Sequence, residues 1–410
     1  MNQRSQQRSH LPTSFWLITL VALINSVSFT LIIPLLYPYA KEFGLSDFQA
    51  SLLTTSYAVS QFIGTPILGN LSDRLGRKPL LVVSLLGSVA ANLLASVAGV
   101  AWLLFAARIL DGLTGGNNSI ARAVISDVTT PEQRPKAFGI FGAMFRLGFV
   151  VGPALSYVGQ QLPTLPGISS LGMSFLIGAG IALIATLLTA FLLPETLDTL
   201  DKQGFQLNWQ DFVFAKILQS ASRPRLGSIF ILTLLSGATF TIFTFAFQPF
   251  FLNVLDQDAK SLAIVFAAVG MLGFICQVFA LEPLSNRFNL VDILFVTLGL
   301  RGLLFLMIPT FPDISAFFVI MAAFGCVNSF PLPLINSILS LNSSDREQGE
   351  VLGINASYLS LSNAIGPAIS GILVSLGYLI PFWVTGILTL FTAWFAFGLR
   401  ANFKCEKASR

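Results

Sequence analysis

The chain has 410 residues, 54% of them hydrophobic and only 10% charged, with a formal net charge of +4. At a mean hydropathy of +0.78 it has too little polar side chain to cover a soluble globule, which excludes the soluble classes. Its apolar stretches are unbroken rather than alternating, which selects membrane-spanning helices of about 20 residues over a β-barrel. The three cysteines, Cys276, Cys326 and Cys405, share no spacing, and the one histidine, His10, lies in a polar tail. That supply predicts no disulfide framework, metal site or histidine-based chemistry. No Gly-x-x-x-x-Gly-Lys-Ser/Thr phosphate cradle occurs. Nothing therefore points to direct ATP drive, a cofactor or a nucleic-acid partner.

In chain order, the polar residues 1–10 give way to an apolar segment that runs past signal-peptide length with no small-residue cleavage site. It reads as a retained first span. Punctuation by charge, Gly and Pro cuts twelve spans, at about 14–39, 48–70, 79–99, 101–124, 136–160, 171–193, 226–252, 261–282, 291–310, 313–338, 350–376 and 381–400. The expectation is an all-α membrane protein: a cytoplasmic tail over 1–13, six helices over 14–193, a cytoplasmic linker over 194–225, six helices over 226–400, and a cytoplasmic tail over 401–410. With both ends cytoplasmic, eighteen of the 23 Lys and Arg fall at the inner face, two (Lys41, Lys260) at the outer, and three (Arg108, Arg146, Arg301) inside spans. That asymmetry orients a multi-pass protein of the plasma (inner) membrane with both termini inside. In the linker, Trp209, Phe212, Val213, Lys216 and Ile217 recur at helical spacing. They fit a short interfacial helix, or a loop with incidental apolar residues.

The two sets of six spans repeat one another. The segment 69–79 packs Asp73, Arg74, Arg77 and Lys78 between Gly69, Gly76 and Pro79, and a degenerate copy over 282–289 follows 213 residues later. Phe138-Gly139-Ile140 and Gly152-Pro153-Ala154-Leu155-Ser156 return 214 residues on as Leu352-Gly353-Ile354 and Gly366-Pro367-Ala368-Ile369-Ser370. The copies stand at matching places in spans 5 and 11, so the duplication is six helices plus six in parallel orientation.

With these residues in place the chain resembles the major facilitator superfamily. Gly69, Leu71, Ser72, Asp73, Arg74, Gly76, Arg77, Lys78 and Leu81 match that superfamily's signature between its second and third helices. Arg108-Ile109-Leu110-Asp111-Gly112 in span 4 resembles the family's Arg-x-x-x-Gly element. Gly148-x-x-x-Gly152-Pro153 in span 5 is similar to its antiporter element, although Ser156-Tyr157 stand where that element ends in Gly-Gly. With Asp127 and Pro131-Glu132-Gln133-Arg134 after span 4, the pattern is similar to twelve-helix drug–proton antiporters, including tetracycline efflux pumps. The resemblance implies two pseudo-symmetric six-helix bundles and a cytoplasmic gate built on Gly69, Asp73, Arg74, Gly76, Arg77 and Asp127. In that gate Arg77 would pair with Asp127, and Asp73 would cap a helix of the other half. The second copy has Asn286 and Asn289 in place of the Asp and Gly, which implies a weaker latch there.

Span 4 holds the clear intramembrane carboxylate. Arg108, Asp111, Gly115, Asn118 and Arg122 advance by three and four residues, so a continuous helix would set them on one face. An ionisable group at depth marks a functional site by default. Asp111 either takes a proton in one conformation and releases Arg108, coupling proton to substrate, or forms a permanent structural pair with it. Arg146 and Arg301 have no carboxylate within a turn. Each calls for a partner from another helix, a water-filled cavity or an anionic substrate; the cavity is the reading for Arg146, and a structural role, bonding backbone carbonyls or Asp111-like groups, is the reading for Arg301. Asn25, Tyr57, Gln61, Asn118, Thr241, Thr244, Gln248, Gln277, Asn328, Asn336, Asn355 and Tyr358 either line the same cavity or tie helices together. Around the span 7 members, Phe240, Phe243, Phe245, Phe247, Phe250 and Phe251 favour a lipophilic ligand. The Gly-Pro pairs, Gly152-Pro153 and Gly366-Pro367, read as pivots for rocking or as static kinks.

The expected function is proton-coupled efflux of a small lipophilic compound by alternating access, carried out by a monomer in the lipid bilayer with the proton as coupling ion. Proton-coupled uptake or facilitated passage of a small metabolite is the alternative. A non-transporting receptor or scaffold is a third class, and no enzyme is expected, since no nucleophile, base and metal set converges.

Overall fold

The structure, a computed structural model, describes residues 11–130, 133–197, 220–223, 226–343 and 347–400. Among these there is no strand, and the helices follow the expected spans. Span 1 comprises α1 (Thr13–Ile32), a 3-10 turn (Ile33–Leu35) and α2 (Leu36–Glu42). The turn falls at Pro34, which has no N–H to continue the α ladder. Spans 2 and 3 are α3 (Asp47–Leu75) and α4 (Arg77–Ser96), and span 4 is α5 (Ala101–Leu113) with α6 (Asn117–Val128). Spans 5 and 6 are α7 (Arg134–Gly159) and α8 (Ser170–Leu192). The second six begin with α9 (Leu226–Asn253), α10 (Ala259–Arg287) and α11 (Leu290–Thr310). They continue with α12 (Ile314–Asn328) and α13 (Pro331–Leu341), which together make span 10, then α14 (Gln348–Leu376) and α15 (Ile380–Gly398). The expected linker helix over 209–217, Glu132 and the C-terminal tail lie outside the described residues.

Among the described residues, ten stretches are long and apolar enough to cross a membrane. The other two expected spans are α3, diluted by Thr54, Thr55, Ser56, Tyr57, Ser60 and Gln61, and span 4, whose pieces have 13 and 12 residues. Each piece alone is too short to cross. The single face expected through Arg108, Asp111, Gly115, Asn118 and Arg122 is corrected by that break. At the turn the Gly115 N–H bonds to Gly112 O at 2.9 Å and the Gly116 N–H to Thr114 O at 2.9 Å, so the i−4 ladder lapses. Two successive glycines do little to hold a helix, and Gln61 Nε2 of α3 donates to the Gly115 carbonyl at 3.3 Å. Span 10 breaks at the matching place, where Pro331 opens α13 as a first-turn proline.

The chain divides into two compact units, the described parts of Met1–Ile33 with Ser60–Leu207 and of Pro34–Val59 with Asn208–Arg410. Phe15, Ile18, Leu81, Leu85, Ile120 and Phe141 form part of the first core. Phe230, Leu294, Leu298, Leu334 and Ile338 form part of the second.

Lipid is as apolar as leucine, so helices in a bilayer are held by close packing and polar contacts rather than by exclusion of water. The units share one such device. Thr30 of α1 donates to Gly148 O of α7 at 2.6 Å, and Thr241 of α9 donates to Ser362 O of α14 at 3.0 Å. One turn later a Cβ on Gly152 would run into Thr30 and come 2.7 Å from the Leu31 nitrogen, and one on Gly366 would run into Thr241. Pro153 and Pro367 follow inside unbroken helices. In this structure the Gly-Pro pairs are thus points of close helix approach.

Candidate functional site

The charged pair of span 4 is built from the last two turns of α5. Arg108 Nη1 donates to Asp111 Oδ2 at 3.0 Å, three residues on. Ser88 of α4 donates to Asp111 Oδ1 at 2.9 Å. Arg108 and Asp111 are each only 6% exposed. The carboxylate therefore sits in a dry environment with one cation and one hydroxyl, and adding a proton to it would dissolve the pair. Ser84, one turn before Ser88, donates to the Thr114 carbonyl at the break, so α4 braces both the pair and the turn.

Near the break, Asn25 of α1 and Asn118 of α6 line one small cavity with Asn117, Leu81 and Leu85. Gln61 reaches the broken turn, while Tyr57, one turn earlier on α3, is half-buried in the second unit. Arg146 is half-buried at the midpoint of α7. In the second unit, Thr244 turns its hydroxyl back to Phe240 O at 2.8 Å, and Gln248 donates to Thr244 O at 3.2 Å with its own Oε1 buried and unsatisfied. Gln277 is half-buried on α10. Asn355 joins Thr233 at 2.5 Å and Asn336 at 2.9 Å, a tie between helices.

Arg301, 2% exposed, is held among the described residues by neutral partners: Asn328 Oδ1 at 3.2 Å, Ser236 O at 3.1 Å, Ser236 Oγ at 3.2 Å and Thr239 Oγ1 at 3.0 Å. The guanidinium lies 5.9 Å from the Phe305 ring centroid. Phe243 stacks on Phe305 at 4.4 Å and meets Phe324 at 4.7 Å. The span 7 phenylalanines are thus largely core. So is Tyr358, for which the sequence left cavity wall and helix tie both open: it is buried, stacks on Phe230 at 5.3 Å and hydrogen-bonds Ser220 at 3.2 Å. A tyrosine on an apolar helix carries no sequence signal that separates a cavity wall from a core with one hydroxyl partner.

The loop between spans 2 and 3 is a closed charge network. Arg77 pairs with Asp73 at 2.5 Å and with Asp127 at 3.1 Å, and donates to Ser72 Oγ at 2.8 Å. Asp73, expected to cap a helix of the other half, is engaged within its own loop. Glu195, just past α8, supplies what that expectation missed. Its carboxylate accepts the backbone N–H groups of Arg77 at 2.9 Å and Lys78 at 3.1 Å, capping α4 where the dipole favours an anion. Gly76 turns the chain there at φ 104°. A Cβ added to Gly69 would lie 3.7 Å from Ser119 Oγ, and Arg74 is half-buried. A second polar group gathers in the second unit. Tyr37 donates to Asp47 at 2.6 Å, Lys41 pairs with Asp47 at 2.9 Å and Asn253 donates to Tyr37 at 3.1 Å. Beside them, burial and then the Asp47 charge hold the Tyr378 phenol above its usual range. These residues are scattered through the sequence, and no spacing announces them.

Against known proteins, the chain matches the Major Facilitator Superfamily over residues 18–300 and 229–404. The chain belongs to that superfamily. It is 29% identical over 367 residues to a class C tetracycline resistance protein of Escherichia coli, covering 84% of this chain and 86% of that one. It is 25% identical over 371 residues to multidrug resistance protein 2 of Bacillus subtilis, covering 88% of each. In fold it is similar to a bacterial homologue of the human lysosomal transporter Spinster, with a TM-score of 0.77, 15% identity, and coverage of 95% and 97% of the two chains. As a member of the Major Facilitator Superfamily it is a multi-pass membrane transport protein for a small molecule, and not an enzyme. The twelve-helix fold expected from the sequence is that of the family.

Proposed function

We propose that this transporter exports a small lipophilic compound in exchange for protons by alternating access, as a monomer in the plasma (inner) membrane with both termini cytoplasmic. The observation that carries the reading is Asp111, buried in a spanning segment and balanced, among the described residues, by Arg108 and Ser88. A proton taken by this carboxylate removes the charge that holds Arg108, so protonation and the position of Arg108 are linked. The tetracycline and multidrug resistance relatives, at 25–29% identity over most of the chain, support efflux. The Arg77 network supports a gate at the cytoplasmic end: it joins three elements through one guanidinium, and a single displacement of that group would open it.

The test is transport in everted vesicles across a panel of lipophilic compounds, with luminal pH recorded. Exchange predicts luminal alkalinisation on adding a substrate, whereas proton-coupled uptake running in reverse predicts acidification. Ser156-Tyr157, in place of the antiporter element's Gly-Gly, is the feature that keeps this second reading in the experiment. Asp111→Asn is expected to abolish transport driven by a pH gradient while leaving gradient-free exchange of substrate. Undiminished gradient-driven transport in that variant would remove Asp111 from the coupling step.

A further inference from the structure

The described residues of the first unit hold four carboxylates, and all are engaged. Asp73 and Asp127 pair with Arg77, Asp111 pairs with Arg108, and Glu195 caps α4. Among the described residues, two arginines of this unit, one inside a span and one at the inner end of span 4, pair with no carboxylate. Arg146 stands at the midpoint of the 26-residue α7, and Arg122 halfway along the 12-residue α6. Neither side chain makes a hydrogen bond or ion pair among the described residues. At about 1.5 Å per residue, Arg146 lies roughly 18 Å in from the start of α7. From there its side chain does not reach either interface, so its charge cannot be satisfied by snorkelling.

The surroundings of Arg146 on α7 are open. Gly142 and Gly139 lie four and seven residues before it on the same helical face, and a Cβ added to either would meet nothing within 4 Å. Phe145 and Phe149 stand beside it, edge to face at 5.8 Å. A lipid-facing arginine at mid-depth is costly, so this face calls for an aqueous path beside it, toward which it presents a cation, two open glycines and an aromatic edge. Such a surface complements an amphipathic anion. It offers a lipophilic cation nothing, because the one mid-span carboxylate of the unit is already held by Arg108 and Ser88.

We propose that Arg146 binds the acidic group of the transported compound, which is a lipophilic organic anion of the aromatic carboxylate or sulfonate class. Phe149 receives the ring, and Arg122, nearer the Asp127 end of span 4, attracts the acid along the path. The inference rests on the transport reading above and adds the charge of the substrate to it.

The experiment uses the purified full-length protein and three probes that share one ring system: 2-naphthoate, its methyl ester, and 2-naphthylmethylammonium. Binding is read as thermal stabilisation in detergent and transport as uptake into proteoliposomes. The acid is expected to bind and move at least about tenfold better than the ester or the amine. Arg146→Gln is expected to weaken the acid by about tenfold or more without moving the melting point of the ligand-free protein, and Arg146→Lys to keep most of the affinity. Ester or amine binding as well as the acid, or an unchanged affinity in Arg146→Gln, overturns the proposal, as does no response to the acid in either assay. If the amine is transported and the acid is not, the anion site falls and the transporter stands. If the acid binds through Arg146 but nothing is transported, the site stands and the transport reading falls.

Discussion

Gly76 and Asn289 occupy equivalent places in the two halves and start the helix that follows by different means. Asn289 caps α11 with its own side chain, accepting the Val291 N–H at 2.8 Å. Gly76 has no side chain, and the vacancy is filled by Glu195 from beyond α8. The substitution that looked like erosion of the signature is thus an exchange of a remote cap for a local one. At Gly76 the backbone is at φ 104°, ψ 148°, a region essentially reserved for glycine, and a Cβ would come 3.2 Å from the Glu195 carboxyl carbon. Gly76→Ala is therefore expected to lose the cap as well as strain the turn, costing about 2–3 kcal/mol. The melting temperature of the purified variant should fall and its Arg77–Asp127 contact should loosen. An unchanged melting temperature would show that the turn has another conformation. Gly76 was legible in the sequence as a member of the gate signature. The partner it makes room for was not, because a Glu in a polar linker looks like any solvated charge.

At the scale of elements, the breaks in spans 4 and 10 show how local chemistry and packing divide the work. Gly115-Gly116 and Pro331 are visible breakers, yet an i+3/i+4 polar stripe through span 4 argued for a continuous helix, and tertiary contact with Gln61 decides against it. Spans 8 and 10 approach closely across glycines: a Cβ on Gly273 would lie 3.0 Å from Gly325 O, and one on Gly325 would lie 2.9 Å from Val269 O. This approach brings Cys276 of α10 and Cys326 of α12, which have no sequence relation, within hydrogen-bonding reach of each other as free thiols. Mild oxidation with copper–phenanthroline should link them, giving a 276–326 disulfide peptide by mass spectrometry that Cys276→Ser removes. Failure to link under conditions that oxidise an engineered control pair would contradict the packing of α10 on α12.

Across the whole molecule, duplication was the most legible property, because two motifs repeat at nearly one offset, and the structure shows what the repeats preserve. Thr30–Gly148 and Thr241–Ser362 are the same joint in the two units, each a turn before a Gly-Pro pair. The charges are not duplicated. The first unit carries Arg108 with Asp111, and the second carries Arg301 among neutral groups. Sequence could place these arginines in spans but not name their partners, since hydroxyls and carbonyls of other helices are invisible to spacing. Orientation rests on the distribution of Lys and Arg, and it can be tested across α7 alone. Thr130 and Thr164 are exposed, one before and one after this helix of 26 residues, which at about 1.5 Å per residue separates them by a bilayer's thickness. On a background with the three native cysteines replaced, Thr164→Cys should react with a membrane-impermeant maleimide on intact cells, and Thr130→Cys only after permeabilisation. The opposite pattern would invert the chain in the membrane and move the Arg77 network to the outer face. Asp111 would then meet protons from the other side, so exchange would have to be read as uptake.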